Sequence, residues 1–155
     1  MDEVTRILES AKRLARRYRA LTGRPLGITG EVAEHTAVRL LGLARSEVRQ
    51  PGYDAIRRRA GKITRIQIKA RCLVDTSQDG QRMGTIRLDR QWDSVLLVVL
   101  DRHLEPVQMY EADRPAVTKA LLKPGSRSRN ERGALAMNQF KRIAQPVWPK
   151  RSVWD

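Results

Sequence analysis

The chain has 155 residues, a mass of 17.7 kDa and 41% hydrophobic residues. Its 31 Lys and Arg residues against 17 Asp and Glu residues give a formal net charge of +14 and a pI near 11.1. The chain is too apolar for an extended basic tail, and no apolar run reaches the roughly 20 residues that a membrane-spanning helix requires. We therefore expect one folded domain over residues 1–155.

The positive charge is carried mainly by arginine, since 24 of the 31 cations are Arg and 7 are Lys. The planar guanidinium group matches a phosphate with two parallel hydrogen bonds, which favours phosphate recognition. Nucleic acid is therefore the expected partner. Net charge alone does not separate DNA from RNA, or either from an anionic membrane surface. The motif described below leads us to expect DNA, with RNA still open, and no membrane association.

Cysteine and histidine are too scarce for a disulfide or a zinc site. Cys72 is the single cysteine, and the two histidines are His35 and His103. An internal disulfide and a Cys- or His-rich metal cluster are therefore excluded. The acidic N-terminus leads into an amphipathic pattern instead of an apolar signal core, which predicts a cytoplasmic protein.

Two helices are predicted at the start of the chain. In the first, apolar residues recur at spacings of three and four, and we expect this face to cover the core: Val4, Ile7, Leu8, Ala11, Leu14, Ala15 and Tyr18. The second helix is expected to begin with Thr29 as its N-cap and to end at Gly42. Its predicted inner face consists of Val32, Ala33, Thr36, Ala37, Leu40 and Leu41.

Strands are predicted in the middle of the chain. Residues 53–58 and 62–70 are typical of a hairpin that turns at Ala60 and Gly61, although Ala-Gly is a weaker turn signal than Asn-Gly. The unbroken apolar run at 95–100 predicts a central strand covered on both faces. Residues 104–110 are expected to form its neighbour, with Pro106 favouring an edge position.

The last third of the chain alternates loops and helices. A polar loop is predicted at 75–80, a basic loop at 123–133, and a helix that opens at Asp113 and Pro115. A final helix is predicted from apolar residues at helical spacing, namely Met137, Phe140, Ile143, Ala144 and Val147. This order of elements predicts an α/β fold with a mixed sheet flanked by helices.

The predicted hairpin places three polar side chains together. If the turn contains two residues, paired positions sum to 121, so Asp54 lies opposite Gln67, and Lys69 shares their face. A carboxylate, an amide oxygen and an ammonium on one face are suited to phosphodiester hydrolysis with Mg²⁺ or Mn²⁺. Mg²⁺ takes oxygen ligands and keeps several waters, so Asp54, Gln67 and the Ile68 carbonyl would suffice with the substrate phosphate. Lys69 would orient the attacking water.

These residues resemble the motif of the PD-(D/E)XK, or restriction-endonuclease-like, nucleases. The resemblance covers Gly30-Glu31 on a helix, then Gly52-Tyr53-Asp54, a hairpin, and Ile66-Gln67-Ile68-Lys69. It implies a restriction-endonuclease-like core of the order α-β-β-β-α-β, with a mixed sheet of four to five strands.

The resemblance also implies roles for individual residues. Asp54 is then the motif aspartate, Gln67 replaces the second acid, Lys69 is the motif lysine, and Glu31 is the helix carboxylate of the metal site. Tyr53 stands where the signature has proline. Gln67 removes one negative charge from the site, which weakens cation binding. The implied activity is metal-dependent endonucleolytic hydrolysis of DNA by a homodimer.

The nucleic-acid contacts are expected from arginines near the hairpin and in the basic loop. The expected phosphate-binding residues are Arg57, Arg58, Arg59, Arg71, Arg127, Arg129 and Arg132.

Other interpretations of the same residues remain open. Asp54, Gln67 and Lys69 also fit an ordinary solvated sheet face with a weak ion pair. Glu31 also fits a first-turn carboxylate that interacts with the helix dipole, and His35, one turn later, fits either a proton shuttle or a half-buried side chain. The alternative function is non-catalytic nucleic-acid binding on a nuclease-like scaffold. A basic adaptor for a protein or a membrane explains the charge but not the hairpin.

Overall fold

A computed structural model describes residues 2–47, 52–73, 80–124 and 133–149. Its elements in chain order are α1 (Glu3–Thr22), α2 (Thr29–Leu41), β1 (Ala44–Arg45), β2 (Ala55–Arg59), β3 (Lys62–Cys72), β4 (Ser94–Leu100), β5 (Pro106–Asp113), α3 (Arg114–Leu122), α4 (Met137–Ile143) and β6 (Gln145–Trp148). The predicted α/β class is confirmed. The predicted loops at 75–80 and 123–133 fall largely outside the described residues.

The six described strands form one mixed sheet in the order β1-β2-β3-β4-β5-β6. Only the β3–β4 pair is parallel, and the other four pairs are antiparallel. The expected sheet of four to five strands is therefore too small, because β1 and β6 add an edge on each side. The order α-β-β-β-α-β implied by the resemblance has three strands between its two helices, whereas five described strands, β1 to β5, lie between α2 and α3.

The predicted hairpin is confirmed in its register. Arg59 pairs with Lys62 and Ala55 with Ile66, so paired positions sum to 121 as expected. Ala60 and Gly61 both have positive φ, at 48° and 76°. A two-residue turn of this kind matches the right-handed twist of the strands, and glycine adopts it without a steric cost.

The predicted central strand is confirmed as β4, in which all seven residues are buried. One face packs under α1 and α2, in a cluster that contains Ile66, Ile68 and Leu96. The other face packs under α3 and α4, in a cluster that contains Leu97 and Phe140. Because helices cover both faces, β4 needs no alternation of polar and apolar residues.

The edge position expected for the next strand is wrong. β5 pairs with β4 on one side and with β6 on the other. Pro106 is the first residue of β5, where a proline is tolerated without a central ladder hydrogen bond.

Two helix ends differ from expectation. Thr29 is the first residue of α2 and Ile28 is its N-cap, without a side-chain hydrogen bond. The last helix stops at Ile143, and Val147 belongs to β6 instead. Pro146 accounts for this stop, because a proline and the residue before it disfavour helix. Gly42 ends α2 with φ at 63°, as expected.

The apolar face predicted for the first helix does not cover the core as a whole. Ala15 is buried and Leu8 packs against the core, but Val4, Ile7 and Leu14 are 50%, 59% and 62% exposed. Between Leu8 and Ala15 the inward row contains Lys12, whose Nζ lies 3.0 Å from a carboxylate oxygen of each of two partners, Glu9 and Glu105. The helix therefore turns a narrower face to the core than predicted. No described helix has the length and apolarity needed to cross a membrane.

Candidate active site

Asp54 is held at the point where the hairpin ladder stops. The β2–β3 pairing ends at Ala55 and Ile66, while β3 continues to Cys72. The Asp54 backbone N–H donates to the Ile66 carbonyl oxygen at 2.9 Å, and the Ile68 N–H donates to Asp54 Oδ2 at 2.7 Å. The carboxylate thus takes the place of a backbone acceptor and lies beside β3.

Gly52 allows the segment just before Asp54 to pass close to the backbone of Gln91. Its φ is 107°, and a Cβ at this position would lie 2.7 Å from the Gln91 carbonyl oxygen. Any other residue here would meet backbone atoms that have little freedom to move. The segment that leads into Asp54 is therefore packed against the chain ahead of β4.

Gln67 lies on β3 between the two residues that bond to Asp54. Its side-chain oxygen, Oε1, is buried and has no hydrogen-bond donor among the described residues. A buried acceptor without a partner is rare in folded proteins, because its lost hydration is not replaced. A cation at this oxygen would supply the missing partner.

Lys69 lies two residues further along the same face of β3 and is half-buried. Burial lowers the pKa of its ammonium group, and the positive charge of Arg71 acts in the same direction. The negative charge of Asp54 opposes both effects and raises the pKa. Asp54 and Lys69 are therefore close enough to interact electrostatically.

A helix carboxylate that interacts electrostatically with Asp54 is Glu34, which the sequence analysis did not select. Glu31 is exposed, whereas Glu34 is half-buried. Burial raises the pKa of Glu34, and the next largest cause is repulsion from Asp54; Arg45 lowers it and Glu31 raises it further. Residues three apart lie on one side of a helix, so the spacing from Glu31 was the signal that pointed to Glu34.

His35 is directed toward the start of α1. Its Nε2 lies 3.1 Å from Thr5 Oγ1. Burial lowers the pKa of this imidazole, with Arg45 as the next cause. Among the described residues His35 has no hydrogen bond to Asp54 or Lys69, so these contacts do not favour the proton-shuttle interpretation.

The donor set fits a hard divalent cation that keeps part of its water shell. Among the described residues no three His, Cys, Asp or Glu side chains form a metal-holding group. The remaining donors are the Asp54 carboxylate, Gln67 Oε1 and the Ile68 carbonyl oxygen, which points to the same side of β3 as the Ile68 N–H. Mg²⁺ is commonly bound through one or two carboxylates together with waters and substrate phosphates, so these oxygens are sufficient.

The arginines expected to contact phosphate occupy different surroundings. Arg57 forms two hydrogen bonds with the Glu111 carboxylate, at 2.9 and 2.7 Å, so its guanidinium already has an anionic partner. Arg58 and Arg59 are exposed at the hairpin. The remaining three, Arg127, Arg129 and Arg132, lie outside the described residues.

Arg71 lines a cleft of about 520 Å³ beside the candidate site. This cleft, which we call the basic cleft, lies between α1, the start of α2 and the end of β3. Five cationic side chains line it: Arg16, Arg19, Lys69, Arg71 and Arg102. No carboxylate lines it among the described residues, and none of the five cations belongs to an ion pair there. The Arg71 guanidinium donates to the Arg82 and Ala70 carbonyl oxygens, which fixes its position.

Comparison of the chain with known protein-family models finds no match. Comparison with curated proteins finds no matching protein either.

Proposed function

We propose that the protein hydrolyses phosphodiester bonds of DNA with a divalent metal ion, at a site formed by Asp54, Gln67 and Lys69. The observation that carries the proposal is the buried Gln67 oxygen without a donor. It belongs to the strand whose Ile68 N–H bonds to the Asp54 carboxylate and whose Lys69 side chain is half-buried. An ordinary solvated sheet face does not leave an acceptor buried and unpaired.

The residues of the chain divide the work of such a reaction. Asp54, Gln67 and the Ile68 carbonyl would bind Mg²⁺ or Mn²⁺, and Glu34 would add negative charge close to Asp54. The metal would supply Lewis acidity at the phosphate and at a bound water. Lys69 donates hydrogen bonds that orient the attacking water and offset the charge that develops on the phosphate. Hydrolysis forms a bond from the water oxygen to phosphorus and breaks one ester bond, which leaves a phosphate monoester and a hydroxyl group.

The basic cleft provides the path for the strand being cut. Lys69 belongs both to the candidate site and to the cleft, so a backbone bound by the cleft cations passes the site. Phosphate contacts of this kind position a nucleic acid without reading its bases. The unpaired cations of the cleft thus account for part of the excess charge of the chain.

The test is a cleavage assay with Mg²⁺ or Mn²⁺ on supercoiled, linear duplex, single-stranded and branched DNA. Wild-type protein is expected to cut at least one substrate, and Asp54→Asn is expected to lose that activity while it still binds DNA. Asp93→Asn is the control, because Asp93 is also half-buried beside β3 but bonds to Arg65 away from the site. Binding without metal-dependent cleavage on every substrate, or equal cleavage by Asp54→Asn, contradicts the proposal.

Non-catalytic nucleic-acid binding is the second candidate, and one observation favours it. The five cleft cations need no metal to bind phosphate, and Gln67 contributes no charge to a metal site. In the same assay this function predicts salt-dependent binding of DNA without cleavage.

A further inference from the structure

The exposed face of α1 carries a regular apolar row. Its members follow one another at intervals of three, four, three, four and three residues: Val4, Ile7, Ala11, Leu14, Tyr18 and Leu21. We refer to these six residues as the α1 seam. Five of the nine exposed large hydrophobic side chains among the described residues belong to it, with exposed fractions between 40% and 77%.

This spacing is the heptad pattern of a helix that pairs with another helix. Alternating intervals of three and four place apolar residues at the first and fourth positions of each heptad. These residues interlock with the side chains of a facing helix. A strict row of this kind is narrower than the wide apolar stripe of a core-facing or membrane-surface helix. The core contact of α1 uses a different row, with Leu8, Lys12 and Ala15, so the seam is left without a partner among the described residues.

The charges along α1 favour a second copy of this chain in antiparallel orientation. The positions that flank the seam on one side are seven apart, with Glu3 in the first turn, Arg17 near the end of α1 and Arg24 just after it. The acidic Asp2 caps the same end as Glu3, while Arg6 and Arg13 lie farther from the seam.

In a parallel pair of α1 helices each end would meet an end of the same charge. In an antiparallel pair the acidic end of one helix meets the basic end of the other, and Ala11 opposes Leu14 at the middle, where a small and a large side chain fit together.

We infer that two copies of the chain associate through the α1 seam, with their α1 helices antiparallel. This interface is independent of the proposed hydrolysis, because the basic cleft uses Arg16 and Arg19 on another side of the helix. The 20-residue helix is about 30 Å long, which allows all six seam residues to contact the second copy.

Sedimentation or light scattering of the full chain tests the association. The wild-type protein is expected to have twice the mass of 17.7 kDa at micromolar concentration, and Leu14→Glu to be monomeric. Leu122→Glu is the matched control, because Leu122 is 64% exposed against 62% for Leu14 but lies on α3. Circular dichroism establishes that both variants are folded. A monomeric wild type, or a dimer that Leu14→Glu leaves intact, overturns the inference.

Disulfide trapping tests the orientation. Two proteins that each carry one new cysteine, Ala11→Cys and Leu14→Cys, are prepared with Cys72→Ser and oxidised separately and as a mixture. Antiparallel pairing predicts cross-linking chiefly in the mixture, because residue 11 faces residue 14 of the other copy. Cross-linking of each protein alone, without an increase in the mixture, contradicts the antiparallel arrangement. Binding to anionic vesicles that Leu14→Glu abolishes, together with a monomeric wild type, assigns the seam to a membrane surface and overturns the proposal.

Discussion

At the level of single residues, Asp54 joins the backbone to the candidate site. Its Oδ2 accepts the Ile68 N–H, and Oδ1 accepts no hydrogen bond from the described residues. One carboxylate oxygen is therefore used to hold the side chain in place, while the other accepts no hydrogen bond in that part of the chain. Such a division fits a ligand that must be positioned before a cation binds.

The register of the hairpin was predictable from the sequence, because a two-residue turn determines the pairing of every residue in its ladder. The ladder ends at Ala55 and Ile66, so Asp54 lies just beyond it and bonds to Ile66 and Ile68 instead of pairing with Gln67.

The part played by Glu34 was not predictable in the same way. Its pKa depends on how deeply α2 packs and on its approach to Asp54, and both are properties of the folded chain. Sequence spacing alone left Glu31 and Glu34 on the same side of the helix.

The raised pKa of Glu34 predicts a pH-dependent effect of Glu34→Gln on stability. The folded state holds the Glu34 proton more tightly than the unfolded state, so the stability that this group contributes is present at low pH and is lost as pH rises through its folded pKa. Thermal unfolding in EDTA between about pH 4 and pH 7 is expected to show Glu34→Gln gaining on the wild type as pH rises.

The control for this measurement is Glu31→Gln, which removes an exposed carboxylate from the preceding turn of α2. Its effect is expected to change less with pH. A stability difference between Glu34→Gln and the wild type that stays constant over this pH range would show that the ionised Glu34 carboxylate is not destabilised by its surroundings.

At the level of elements, the hairpin turn forms where the sequence predicts it, but alanine is not the most favourable residue for its first position. Ala60 has a φ of 48°, a left-handed conformation that costs energy for residues with a Cβ, and asparagine tolerates it better than alanine. We expect Ala60→Asn to stabilise the protein by about 0.5 kcal/mol. Urea unfolding measures the change. Gly61→Ala, at a φ of 76°, is expected to have the opposite sign, and a destabilised Ala60→Asn would contradict this account of the turn.

The elements that the sequence predicted least well depend on contacts between distant segments. The apolar residues of α1 fall into two rows, and a periodic pattern does not tell which row faces the core and which is the α1 seam. Likewise, β6 is a short strand that exists through its pairing with β5, while its own residues continue the helical spacing that begins at Met137. By contrast β4 was predictable, since an apolar run of its length has few other stable positions.

At the level of the whole molecule, the excess positive charge is unevenly neutralised. Ion pairs engage Lys12, Arg57, Arg65 and Arg87, whereas the five cations of the basic cleft have no carboxylate partner among the described residues. Cations held together without counterions repel one another, so their concentration in one cleft is more useful for an anionic ligand than for stability.

The basic cleft predicts which arginines of α1 matter for DNA binding. Arg16→Gln with Arg19→Gln is expected to weaken DNA binding in EDTA about tenfold or more, and to reduce the slope of log affinity against log salt by roughly one to two. Arg6→Gln with Arg13→Gln removes the same charge from exposed positions of the same helix and is expected to have a smaller effect. Equal losses in the two double variants would indicate that net charge, and not the cleft, determines binding.

The most direct measurement of the central claim is single-turnover cleavage of DNA by Lys69→Met compared with the wild type, at protein concentrations that saturate binding. Methionine keeps the length of the side chain without its charge, and burial lowers the pKa of the Lys69 ammonium, so the variant is expected to be at least as stable as the wild type. The account predicts a cleavage rate lower by about 100-fold or more with folding and DNA binding retained. A rate equal to that of the wild type, or no cleavage by either protein in Mg²⁺ or Mn²⁺, would contradict it.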